Sequence, residues 1–307
     1  MAGKVLTSTA EHIDRLCAAR LQADVSGSEL VLISRTDAEA AQLIDSNIDR
    51  RDHPFILGEV GFGEEPVLKT YPDAVMETCT ELASRHSAVG PSLKELERWH
   101  ARAMSGTMTL REMQSDARSV LGVDVPFDWD ACRTEEGYYR VKASLDHGIA
   151  RAKSFAPYCD LLWCETAVPN FEDAVKFAKA LHATFPGKML AYNCSPSFNW
   201  STAGMSDGEI ESFQRRMGGL GFAWQFITVA GFHVDSLATD LFARNYREKG
   251  MLAYVDMVQR REEEFGVETL KHQRWSGADL MDFAMNAASS GKSSTLSLGD
   301  GVTEDQF

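Results

Sequence analysis

The chain repeats apolar strand, helix and apolar strand at about 30-residue spacing, which restricts it to parallel βαβ units. Each candidate strand is short and closes on polar or charged residues. Leu30 to Ser34 runs into Arg35, Thr36 and Asp37, and Asp160 to Cys164 runs into Glu165 and Thr166. Lys188 to Tyr192 leads to Asn193, and Trp224 to Val229 carries Thr228 with Gly231 behind it. Polar residues gathered at strand C-terminal ends are the pattern of the catalytic mouth of a (β/α)8 barrel. A whole barrel takes eight such units in roughly 250 residues, and this chain of 307 residues offers only four clear ones. The expected class is therefore α/β, the C-terminal part of a TIM-type barrel with a helical insertion and C-terminal helices.

Helix signals fill the intervals. Ser8 and Glu11 suggest a capping box opening a helix to about Val25, with Ile13, Leu16, Cys17 and Leu21 at helical spacing. Asn170 is placed to cap a helix to about Thr184, packing through Phe171, Val175, Phe177, Ala178 and Leu181. Ser206 and Glu209 open another, stopped near Gly218 and Gly219. Barrel units are expected over 1–57 and 129–232. The segment 58–128 between them is too long for a βα loop. It carries its own helix signals: Pro72 to Arg85, then capping boxes at Ser92 with Glu95 and Thr109 with Glu112, with Trp99 and Met104 on a packed side. It reads as a helical insertion without catalytic residues. Helices near Ser236–Lys249, Leu252–Glu264 and Gly277–Ala288 make up 233–288, where Arg260 to Glu264 reads as a solvated face. The Ser- and Gly-rich stretch from Ser289 opens a flexible tail, 289–307.

Charge and composition bound the partners. Thirty-one basic residues face 45 acidic ones, a net charge of −14, which argues against nucleic-acid backbones and anionic membranes. No apolar stretch approaches the roughly 20 residues of a membrane span. The N-terminus lacks a basic and apolar signal pattern, and the C-terminus, Asp305-Gln306-Phe307, is not a Ser-Lys-Leu address. The six cysteines, Cys17, Cys79, Cys132, Cys159, Cys164 and Cys194, show neither pairing nor zinc spacing and read as reduced thiols. A cytoplasmic location is expected, with a glyoxysome, peroxisome or mitochondrion as the alternatives.

The stretch Tyr192 to Trp200 reads YNCSPSFNW. On an extended backbone Asn193, Ser195 and Ser197 would point the same way. An amide and two hydroxyls satisfy carboxylate oxygens without adding negative charge, and Pro196 stiffens the segment. The same residue types also suit an ordinary strand-to-turn exit.

NCSPSFNW resembles the substrate-binding signature of isocitrate lyases, in the isocitrate lyase / phosphoenolpyruvate mutase superfamily. Further blocks carry the likeness along nearly the whole chain: MAGKVL, SRTDAEAA from Ser34, RDHPFILG from Arg51, RTEEGYYR from Arg133, APYCDLLWCET from Ala156, FAWQFITVAG from Phe222, HQRWSGA from His272 and GVTEDQF. The resemblance implies a retro-aldol cleavage of isocitrate to glyoxylate and succinate, with Mg²⁺ as cofactor and a homotetramer as the assembly. It implies substrate-binding roles for Arg35, Asn193, Ser195, Ser197 and Thr228, a catalytic role for Glu165, and a supporting role for Asp37. For Arg35 the alternative is a salt bridge to Asp37 or Glu39; for Glu165, an ion pair with Arg35. Val229 departs from the leucine usual after that threonine, and His272 reads as a packing or interface residue. In the family the catalytic cysteine lies in a Lys-Lys-Cys-Gly-His run just before the block that opens this chain, and the metal-binding aspartate lies earlier still. The chain is thus expected to be the C-terminal portion of such an enzyme and inactive alone. Methylisocitrate as substrate, or a non-catalytic fragment acting as an interaction protein, are the alternatives.

Overall fold

The computed structural model describes residues 3–61, 67–85, 91–299 and 301–306. Met1, Ala2, Asp300 and Phe307, which belong to the opening block and the tail, lie outside the described residues, as do 62–66 and 86–90 of the segment read as an insertion. The strands are β1 (Val5–Leu6), β2 (Ile33–Thr36), β3 (Leu43–Ile44), β4 (Leu57–Val60), β5 (Val67–Thr70), β6 (Phe127–Asp128), β7 (Tyr139–Arg140), β8 (Leu161–Cys164), β9 (Met189–Asn193) and β10 (Phe222–Phe226). The helices that matter below are α1 (Thr9–Val25), α2 (Tyr71–Arg85), α3 (Leu93–Ala103), α4 (Leu110–Asp116), α5 (Leu145–Phe155), α6 (Phe171–His182), α7 (Asp207–Gly219), α8 (Ala230–Lys249), α9 (Met251–Tyr254), α10 (Arg260–Phe265), α11 (His272–Trp275) and α12 (Ala278–Ala288). Two compact units result, Met1–Thr228 and Val229–Phe307.

The four strands read from the sequence form one sheet in the order β10-β9-β8-β2, parallel throughout. Its register puts Ser34 beside Leu162 and Thr36 beside Cys164. Leu162, Cys164, Leu190 and Tyr192 join Phe155, Phe177, Leu181, Phe213 and Met217 in the largest buried cluster, so this face is covered by α5, α6 and α7. Side chains alternate across the pleat, which sends Arg35, Trp163, Ala191, Asn193, Trp224 and Phe226 to the other face. That face is the one carrying the polar strand ends.

Two strand boundaries differ from expectation. β2 begins at Ile33, leaving Leu30 and Val31 exposed. The reason is a side chain: the Asp160 carboxylate takes the Leu32 N–H at 2.6 Å, so ladder pairing starts one residue later. β10 runs from Phe222 and ends at Phe226 rather than Val229. Val229 adopts φ 52°, in the left-handed region that β-branched residues avoid, and it turns the chain directly into α8, six residues before the expected helix start.

Local caps match the sequence well. Asn170 accepts from Glu172 and Asp173 amides, and Ser92, Thr109 and Ser206 each form both arms of a capping box. Ser8 caps α1 through the Glu11 amide alone. Its own N–H donates to Asp45 at 3.1 Å, because β3 pairs with β1 and brings Asp45 alongside. In α1 only part of the expected stripe is buried: Ile13 and Leu16 pack, whereas Leu21 and Cys17 are exposed.

Residues 71–85 and 91–125 enclose a separate buried cluster around Tyr71, Val75, Trp99, Met113 and Leu121. Met104 is only half-buried. Beside these helices lies a small antiparallel sheet, β5-β4-β6, that the sequence reading did not include. In the second unit no residue of α8 is buried, and α9 continues through a π-helical turn, Val255–Gln259, into α10. Asp282 of α12 accepts the Ser297 and Leu298 amides at 2.8 and 2.7 Å, tying that part of the tail to the helix.

Candidate functional site

All four parallel strands deliver a polar group to the same end of the sheet. At the end of β2, Arg35 donates from Nε and Nη2 to the two oxygens of Asp37, at 2.9 and 3.0 Å. Lys4 pairs with the same carboxylate. Burial pushes the Asp37 carboxyl up, but the hydrogen bonds from Arg35 and Lys4 outweigh it and hold the pKa below the ordinary value. The bond to Asp37 in turn raises the Arg35 pKa. Glu165, one residue past β8, is 8% exposed. Its Oε1 accepts from Asn193 Nδ2 at 3.3 Å, and its Oε2 is buried without a hydrogen-bond partner, 3.9 Å from Arg35 Nη2. Thr228, two residues past β10, donates to Asn193 Oδ1 at 2.9 Å. The result is a continuous contact chain: Lys4, Asp37, Arg35, Glu165, Asn193, Thr228.

Ser195 and Ser197 fall differently from the extended reading. β9 ends at Asn193, and the following residues turn, so strict alternation stops there. Ser195 is buried and its hydroxyl accepts the Ser197 N–H at 3.1 Å, while the Ser197 side chain is exposed. Trp200 Nε1 holds the turn by donating to the Ser195 carbonyl at 3.2 Å. Of the two ion-pair alternatives for Arg35, the Asp37 pair is formed. Glu39 instead accepts the Ala167 N–H at 3.2 Å, and burial raises its pKa.

Two further members of the site were not singled out in the sequence. Trp163 lies under Arg35, with the guanidinium carbon 4.4 Å from its ring centroid. Lys4 neutralises Asp37 across 33 positions of chain. Arg35 and Trp163 are direct neighbours across β2 and β8, a relation visible only once strand pairing is known. Lys4 stood in a recognisable block, yet nothing local marks it as a partner of Asp37.

Among the described residues no three carboxylates, imidazoles or thiols converge as a metal centre. Glu165 has one oxygen committed to Asn193, and Asp37 has both oxygens on Arg35. These side chains do not fit a complete Mg²⁺ site by themselves. Arg35 Nη1 and the Ser195 and Ser197 hydroxyl protons have no acceptor among the described residues, and donors of these kinds suit carboxylate oxygens.

The family model described as isocitrate lyase family matches residues 1–67 and 59–307. An isocitrate lyase of Oryza sativa subsp. japonica is 43% identical over all of this chain, and one of Saccharomyces cerevisiae is 40% identical over all of it. A protein named 2-methylisocitrate lyase, mitochondrial, from Hypocrea atroviridis is 41% identical, again over the whole chain. In each case the chain spans 59% of the relative's length. The chain belongs to the isocitrate lyase family.

Proposed function

We propose that this chain supplies the carboxylate-holding side of an isocitrate lyase-type active site, on four strands that form part of a (β/α)8 barrel. The carrying observation is the contact chain from Arg35 through Glu165 and Asn193 to Thr228, across the ends of all four parallel strands. In the reaction, the isocitrate hydroxyl loses its proton, the C–C bond breaks to give glyoxylate, and the released carbanion of succinate is protonated. Arg35 and the Ser195 and Ser197 hydroxyls bind carboxylate oxygens. Glu165 fixes Asn193 from one side while Thr228 fixes it from the other, and Asp37 holds Arg35. The groups that move the two protons are not among these residues, and Mg²⁺ would draw its ligands from elsewhere. The complete enzyme is a homotetramer in which the helices of 233–288 pack between subunits, and the location is cytoplasmic; no helix among the described residues is long and apolar enough to cross a membrane.

The 41% identity to a protein named 2-methylisocitrate lyase makes 2-methylisocitrate the second candidate substrate. Calorimetric titration with succinate tests the carboxylate site: the wild-type chain should bind and Arg35→Ala should not. Equal binding by the two would remove the proposal. Glyoxylate release from isocitrate or 2-methylisocitrate by this chain alone, above a Ser195→Ala control, would contradict the division of labour.

A further inference from the structure

The Arg35 guanidinium is restrained on two sides. Asp37 takes its Nε–Nη2 edge, and the Trp163 ring lies against its face at 4.4 Å. Nη1 has no hydrogen-bond partner among the described residues. The Trp163 ring is itself seated: Phe226 meets it edge-on, with centroids 5.0 Å apart, and Trp224 stacks on Phe226 at 4.6 Å. Trp163 stands on β8 and Phe226 on β10, with β9 between them. The residue of β9 in register with both Trp163 and Trp224 is Ala191, whose methyl is small enough to let the rings meet over it. An aromatic row thus crosses the sheet beneath the polar strand ends and finishes under Arg35.

We infer that Trp163 is a positioning residue: its ring face fixes the plane of the Arg35 guanidinium, so that the Nη1 end stays presented to a carboxylate. An arginine over an aromatic face is held by the ring quadrupole as well as by contact, and a planar fork recognises a carboxylate only in the right plane. Asp37 alone leaves the fork free to swing about the line joining the two carboxylate oxygens, and Glu165 reaches Nη2 only at 3.9 Å; the ring removes that freedom. Lys4 completes the arrangement by balancing the Asp37 charge, which would otherwise repel the incoming anion. This inference rests on the carboxylate-site reading above.

The test uses the full chain with succinate as probe, alongside the NMR resonance of the Arg35 Nε–H, which a ring beneath it shifts. Trp163→Leu should weaken succinate binding about three- to tenfold, the range a partly exposed cation–π contact supports, and should move the Arg35 resonance. Trp163→Phe, which keeps a ring face, should bind within about twofold of wild type. Wild-type affinity in Trp163→Leu with an unmoved resonance overturns the inference. If Arg35→Ala leaves binding unchanged while Trp163→Leu moves the resonance, the carboxylate reading fails and the placement of Arg35 by Trp163 stands. Should the leucine variant not fold, ring-fluorinated tryptophans, which weaken the negative face at constant shape, replace it. Affinity should then fall with fluorination in wild type and stay flat in Trp163→Phe; a flat response in both overturns the proposal.

Discussion

At the scale of single residues, Arg35 shows how a charged group is kept ready. Two acids compete for it, yet Lys4 shares Asp37 and Asn193 occupies one oxygen of Glu165. On the role proposed for Arg35, Arg35→Ala in an assembled enzyme would leave one substrate carboxylate without its cation. A hydrogen bond to a charged group contributes about 1.5–3 kcal/mol, so kcat/KM should fall roughly ten- to two-hundredfold. Ser197→Ala should cost less, since in the proposed site its exposed hydroxyl would be one of several donors to a carboxylate; a larger loss than in Arg35→Ala would reverse these roles. A second residue couples the fold to pH. His12 sits between Ser34 Oγ, at 3.0 Å, and the Phe155 ring. Burial, then Arg151 and Arg15, lower its pKa to about 4. The unfolded chain takes up this proton near the ordinary value of about 6.5. Between those two values the unfolded state is protonated and the folded state is not, so acidification destabilises the fold. Above about pH 6.5 the effect is absent. Urea midpoints should therefore drop between pH 7 and pH 5 in wild type and drop less in His12→Asn; parallel curves would show that His12 does not carry the dependence.

At the scale of elements, what was legible in the sequence was local. Capping pairs three residues apart, such as Ser92 with Glu95 and Ser206 with Glu209, need only their own helix, and they form as read. Strand limits depend on distant partners, so β2 started late for a reason held 128 positions away, in the Asp160 carboxylate. The two-residue strands β1, β3, β6 and β7 are too short for any period to reveal. The same division applies to the site: Asn193 and Ser195 were visible as a motif, whereas the pairing that sets Trp163 under Arg35 was not. One element contact makes a sharp prediction. Helix α5 approaches β8 so closely that a Cβ on Gly148 would lie 2.7 Å from Cys164 Sγ. Alanine is the better helix former by about 1 kcal/mol, but overpacking a core costs about 1–3 kcal/mol. Gly148→Ala should therefore be destabilised by up to about 2 kcal/mol in denaturant titration. Adding Cys164→Ala should recover part of the loss, whereas strictly additive effects would mean the two sites do not touch.

At the scale of the whole molecule, the described surface carries unpaired strand edges and exposed large apolar side chains. The parallel sheet ends in β10 on one side and β2 on the other, and neither edge is paired among the described residues. Unpaired edges and exposed apolar surface both favour association. The second unit adds a defined stripe. Val234, Leu237 and Leu241 recur at helical spacing along α8 and are 65%, 62% and 45% exposed. Such a period on a helix marks one face, and apolar side chains along it gain about 25 cal/mol per Å² when covered. The net charge of −14 opposes non-specific clustering, so association should be through particular faces rather than general collapse. We expect the purified chain to be oligomeric by light scattering, with a mass that falls on dilution. Leu237→Lys combined with Leu241→Lys should shift it toward monomer without lowering helical content, because none of the α8 positions is buried. A monodisperse monomer in wild type, with a cooperative melt, would show that edge and stripe are tolerated in solution; an oligomer unaffected by the double substitution would move the interface from α8 to the sheet edges.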